Sequence, residues 1–99
     1  MHHDQPYVGT VGFLIEADCQ QDISAASNPH FLVRKPSGAT GIWTATITTI
    51  DEQTRYLRHA TEEGELNEAG DYRIHACFTL GDWQGPGEAG TLTVRALYA

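Results

Sequence analysis

From Tyr72 to Phe78 the side chains alternate without a break: Tyr72, Ile74, Ala76 and Phe78 on one side, Arg73, His75 and Cys77 on the other. A period of two belongs to an extended strand with one buried face, because successive side chains in a strand point opposite ways. Shorter alternations of the same kind recur along the chain. Turn residues separate them at intervals of roughly 8–12 positions, the spacing of an all-β sandwich or barrel. The 99 residues, ten of them glycine, suffice for one domain, 1–99, with one modest core.

Six segments carry the pattern. The first is Tyr7 to Ala17, where Gly9 and Gly12 suggest a bulge or a strand that changes sheets. A polar, turn-rich stretch follows, with Ile23 as an inward anchor. The second strand, His30 to Lys35, closes on Lys35-Pro36-Ser37-Gly38, a β-turn with proline fixing φ at its second position. A hairpin then leads into the third strand, Gly41 to Ile50. There the set Trp43, Ala45, Ile47 and Thr49 is expected inside and Ile42 outside. The fourth strand, Thr54 to Thr61, has ambiguous faces, as an edge strand does. After a polar loop with at most one helical turn comes Tyr72 to Leu80, expected at the centre of a sheet. A glycine-rich loop, Gly81 to Gly90, precedes the last strand, Thr91 to Tyr98.

Six to seven strands in about 100 residues fit an immunoglobulin-like antiparallel β-sandwich. Tyr72, just after the bend Asn67-Glu68-Ala69-Gly70, stands where such sandwiches use a tyrosine hydroxyl to tie down the corner. Trp43 is placed to pack against it across the core. An inter-sheet disulfide is not expected. Cys77 alternates with the inward set and so points away from the core, and neither cysteine belongs to a C-x-x-C pair.

Three stretches together resemble small immunoglobulin-like structural proteins of tailed bacteriophages. They are Arg34 to Ile47, Thr54 to Phe78, and Trp83 to Val94. Within them fall the turn Lys35 to Gly38, the strand tryptophan Trp43, Thr61 to Leu66, Ala69 to Tyr72, and Trp83 to Glu88, in the order that group shows. The resemblance spans Arg34 to Val94, about two thirds of the chain. It implies a non-enzymatic virion component of the tail, baseplate, neck or capsid. Its partners would be other virion proteins or further copies of itself, and it implies no cofactor and no catalytic residue. On that reading the chain is made and assembled in the host bacterial cytoplasm. The opening Met1 to Gly9, without a basic or apolar leader pattern, agrees with this.

The charge of −7 argues against nucleic acid and against anionic membranes as partners. No apolar run approaches the roughly 18 residues of a membrane span. His30, His59 and His75 have no zinc-ligand spacing and are expected on a surface or interface. If His59 and His75 lie at an interface, assembly becomes pH-sensitive. Glu62, Glu63, Glu65, Glu68 and Asp71 read as a solvated loop, without a calcium-loop pattern or a cleft for paired-carboxylate hydrolysis. Ser24, Ser27 and Ser37 lack a nucleophile-elbow context, and Cys19 and Cys77 lack a basic environment.

That leaves the last glycine-rich stretch and the strand before it. Trp83, Gly85, Gly87, Glu88 and His75 are the candidate interface residues, since tryptophan concentrates at contact sites and the glycines shape a displayed loop. Trp83 instead caps the sandwich if it folds back. The alternative function is a carbohydrate- or host-surface-binding module that stacks sugars on Trp43, Trp83 or Tyr98.

Overall fold

A computed structural model describes residues 5–97, the side chain of Glu88 excepted. The described chain is all-β, with seven strands and no helix. They are β1 (Leu14–Asp18), β2 (Ser27–Arg34), β3 (Thr40–Thr44), β4 (Thr46–Ile50), β5 (Gln53–Ala60), β6 (Gly70–Leu80) and β7 (Trp83–Val94). They form two antiparallel sheets, a three-stranded one in the order β1-β5-β4 and a four-stranded one in the order β3-β2-β6-β7. The core lies between the sheets. Phe31, Val33, Trp43, Tyr72, Ile74, Phe78 and Val94 come from the larger sheet and Leu57 from the smaller; Ile23 and Leu66 close the ends from loops.

Before β1, Tyr7 makes a parallel bridge to Arg95, with Val8 N–H donating to Arg95 and Arg95 N–H donating to Pro6. β6 lies between β2 and β7 in the larger sheet, and Tyr72 stands near its start, just after the bend.

Tyr72 is fully buried, and its hydroxyl accepts the Glu68 N–H at 3.0 Å. The bond satisfies a backbone donor at a tight bend where no strand partner is available. Tyr72→Phe keeps the ring and removes the acceptor. The expected loss is about 1–2 kcal/mol, near the cost of leaving one such donor unmade. Urea unfolding should show a lower midpoint with an unchanged slope.

Several expectations need correction. The stretch Gly41 to Ile50 is two strands: it leaves the larger sheet at Ala45 and enters the smaller as β4. The sheet change therefore happens there, while the first strand begins only at Leu14, after Gly9 and Gly12. Thr54 to Thr61 does not form an edge. As β5 it lies between β1 and β4, with Leu57 and His59 turned inward. The glycine-rich stretch after Gly81 is no loop, because β7 starts at Trp83 and pairs with β6 along its length. Proline and glycine are tolerated there because β7 is an edge strand. The final strand ends at Val94; Tyr98 lies outside the described residues, as do His2 and His3.

Candidate interaction surface

The five candidate residues occupy one hairpin, but not one spot. Gly81 opens the β6–β7 turn with φ 59°, where a two-residue hairpin of this kind favours glycine, and Leu80 faces Trp83 across it. Trp83 leans back over Phe78, with ring centroids 4.9 Å apart and planes tilted by 46°. It remains 43% exposed. The ring thus caps the end of the sandwich and still offers an edge to solvent. Gly85, opposite Phe78, takes φ 152°, a conformation closed to other residues at low cost.

The remaining candidates meet further along. His75 pairs with Ala89 and Cys77 with Pro86, so β7 spends one residue more than β6 over this interval. Gly87 and Glu88 fall in that bulge. His75 donates from Nδ1 to the Gly87 carbonyl at 2.8 Å and thereby fixes the bulge to the outer face of β6. The bulge twists an otherwise open edge, which discourages indiscriminate strand pairing there.

Several other titratable groups are tied to neighbouring side chains and backbone. His59 is buried, not at a surface as its sequence context implies. Its ring stacks on Trp43 at 5.3 Å and 25°. Its Nε2 donates to Glu65 Oε1 at 2.7 Å, and the same oxygen accepts the Glu62 N–H at 2.8 Å. With the proton on Nε2, Nδ1 faces the Thr44 hydroxyl at 3.4 Å. Glu68 accepts both the N–H and the hydroxyl of Ser37, each at 2.9 Å, and Asp71 accepts the Thr93 hydroxyl at 2.8 Å. Glu62 and Glu63 are exposed to solvent, while Glu65, Glu68 and Asp71 also tie the segment to His59, Ser37 and Thr93. Among the described residues no cluster of His, Cys, Asp and Glu has the geometry of a metal site. No helix of the described chain is long and apolar enough to cross a membrane.

Both cysteines are free thiols. Cys77 lies on the outer face of β6, as the alternation requires, yet it is only 3% exposed between His30 on β2 and Pro86 on β7. Burial pushes its thiol pKa up. Burial, then the neighbouring Asp18 carboxylate, does the same to Cys19. A protonated thiol is a poor nucleophile and a poor metal ligand. Burial also raises Tyr72.

The alkaline behaviour follows. These groups lose their protons at lower pH in the unfolded chain than in the folded one. Their contribution to stability is complete below the ordinary thiol value of 9.0 and is lost as pH climbs through and beyond it, with Tyr72 adding the same sign above 10.0. Denaturation midpoints should fall between about pH 8 and about pH 10.5. The fall should be shallower in Cys77→Ala. An equal slope in that variant would show that Cys77 titrates alike in both states.

Trp43 is 5% exposed and stacked on His59, with the Tyr72 ring 6.3 Å away, so it is not available to a sugar ring. Sequence reasoning left out a second surface altogether, the outer face of β3, β2 and β6 around Ile42. The signal for it was present, since Ile42 falls in the outward set of its strand. No family model, curated protein or solved structure matches the chain.

Proposed function

We propose that this chain is an immunoglobulin-like, non-enzymatic structural protein of a tailed-phage virion, working by burial of its surface against neighbouring virion proteins. The observation that carries the reading is how the resembling motifs sit in space. The Lys35-Pro36-Ser37-Gly38 turn and the bend at Asn67 and Glu68 that leads into the Ala69 to Tyr72 motif are far apart in sequence, 31 positions from Ser37 to Glu68, yet they form one joint. Lys35 Nζ donates to Asn67 at 2.7 Å, Ser37 is held twice by Glu68, Glu68 is tied to Tyr72, and Gly70 packs on Pro36. Two of the five features of the resemblance, the Lys35 to Gly38 turn and the Ala69 to Tyr72 corner, are thus parts of one structural joint, the kind of unit expected to persist together in one family of scaffolds.

The chemistry-bearing side chains support a non-catalytic role. His59 and Glu65 bond to each other in the interior, and both thiols are held protonated. The strand edges and the half-exposed Trp83 offer the contact surface. Mass spectrometry of purified particles of the encoding phage tests the reading. The chain should be present in fixed stoichiometry to the other structural proteins, and its absence from intact particles would refute the proposal.

A further inference from the structure

The outer face of the four-stranded sheet carries side chains that the core does not use. Leu32 stands in register between Ile42 on β3 and His75 on β6, and Arg34 stands between Thr40 and Arg73 in the next row. These residues line an open groove of about 1040 Å³. Ile42, on its border, is 70% exposed. A large aliphatic residue exposed to that degree gains little from burial in the fold.

The charges are equally unusual. Arg34 and Arg73 face each other directly across β2 and β6, and like charges so placed cost stability. The chain has only six Lys and Arg residues, and the other four are engaged. Arg58 pairs with Glu16 at 2.6 Å and Arg55 with Asp18 at 3.1 Å. Arg95 lies 5.4 Å from the centre of the Tyr7 ring, and Lys35 bonds Asn67 at 2.7 Å. Among the described residues, no acid pairs with Arg34 or Arg73. Asp71, on the same face of β6, is held by Thr93.

We propose that this face is a docking surface for a segment of a partner protein that presents carboxylates beside aliphatic side chains. The arginines would take the carboxylates, for which the guanidinium fork is well shaped, and Leu32 and Ile42 would take the aliphatic part. A second copy docked face to face about a twofold axis through the arginine row would set these arginines against their own equivalents, which is repulsive, and it would bring no carboxylate to them from this face apart from Asp71, which Thr93 holds. A nucleic acid would meet the two arginines and then a molecule of net charge −7. A compact acidic protein segment meets only the row that holds Arg34 and Arg73, and the net negative charge of the rest of the chain disfavours its binding elsewhere. That arrangement fixes orientation as well as contact. The inference deepens the assembly role proposed above and rests on it only for the partner being a virion protein.

The test uses the full chain and a fluorescein-labelled peptide of alternating glutamate and leucine. A lysine–leucine peptide and a single-stranded oligonucleotide serve as comparators, in about 0.15 M salt, where distant charges are screened but contacts are not. The glutamate–leucine peptide should bind. Backbone amide shifts should concentrate at Leu32, Arg34, Ile42, Arg73 and His75. Arg34→Gln, Arg73→Gln and Ile42→Ser should each weaken binding roughly tenfold. The double arginine variant should melt no lower than the parent chain, because a repulsion has been removed; a purely structural role for the arginines would lower it. The proposal is overturned by no binding, by equal binding of the lysine–leucine peptide, by shifts elsewhere, by oligonucleotide binding at this face, or by light scattering that shows a dimer sealed through it. Peptide binding needs no particle, so a negative result here leaves the virion reading intact, and absence from particles leaves a positive peptide result intact.

Discussion

Trp43→Ala should remove about 3–5 kcal/mol of folding stability, the range for deleting a large aromatic from a core. Small domains carry about 5–15 kcal/mol in all, so the variant should be unfolded or close to it at 37 °C. The argument starts from position. β3 is a five-residue edge strand, bonded on one side only, to β2. Its hold on the domain therefore depends on what its one inward side chain buries. Trp43 is 5% exposed, stacks on His59 from the opposite sheet, and approaches Tyr72. Removing the indole uncovers His59, whose bond to Glu65 then lies open to water, and frees the strand that leads into β4. Trp43→Phe should recover part of the loss, since a smaller ring can still stack. Urea titration followed by far-UV circular dichroism measures both. A loss below about 1.5 kcal/mol in the alanine variant would show that β3 is held by its hydrogen bonds and not by this ring.

Alternation made most of the fold legible, and the places where it misled have one cause: face parity and burial are different things. Parity along β6 is right at every residue. Tyr72, Ile74 and Phe78 are buried, and Cys77 is on the outer face. What parity lacks is the height of the neighbours. A short thiol in a central strand, flanked by His30 and Pro86, is covered even though it points away from the core. The break at Ala45 was invisible for a related reason. Trp43, Ala45 and Ile47 all face the same interior from two sheets, so the alternation runs through the crossing unchanged. Neither glycine nor proline marks it.

The last strand failed in the opposite sense. Gly85, Pro86, Gly87 and Gly90 are strong turn signals, yet they lie in β7, whose pairing with the long β6 and whose edge position accommodate them. His59 shows what a single sequence withholds. Its inward face was readable only once Leu57 was placed, and its partner Glu65 comes from a bend that composition alone assigns to solvent. The Ile42 surface was readable from parity. That two arginines would stand opposite each other beside it was not, because it depends on the register between strands thirty-odd residues apart.

Gly70→Ala carries the second large effect, and it tests the joint between the two motifs. Gly70 holds φ 126°, outside what a side chain permits without strain, and a Cβ built there would lie 2.9 Å from Pro36 Cγ and 3.0 Å from Pro36 Cβ. Strain of this kind costs about 1–3 kcal/mol. The overlap adds to it unless the proline turn moves. If the turn moves, the bonds from Ser37 to Glu68 and from Lys35 to Asn67 are stretched in turn. The expected total is therefore about 2–4 kcal/mol, more than at an exposed glycine of similar φ such as Gly38, which meets nothing within 4 Å. Gly38→Ala is the matched comparison, since it carries the backbone strain alone. Combining Gly70→Ala with Pro36→Ala removes the ring that is struck and should restore part of the loss. If the double variant were no more stable than Gly70→Ala, the overlap would be irrelevant and backbone strain alone would account for the effect. If Gly70→Ala were as mild as an ordinary surface change, the corner would be free to rearrange, and the contact between the proline turn and the tyrosine corner would not be a structural joint at all.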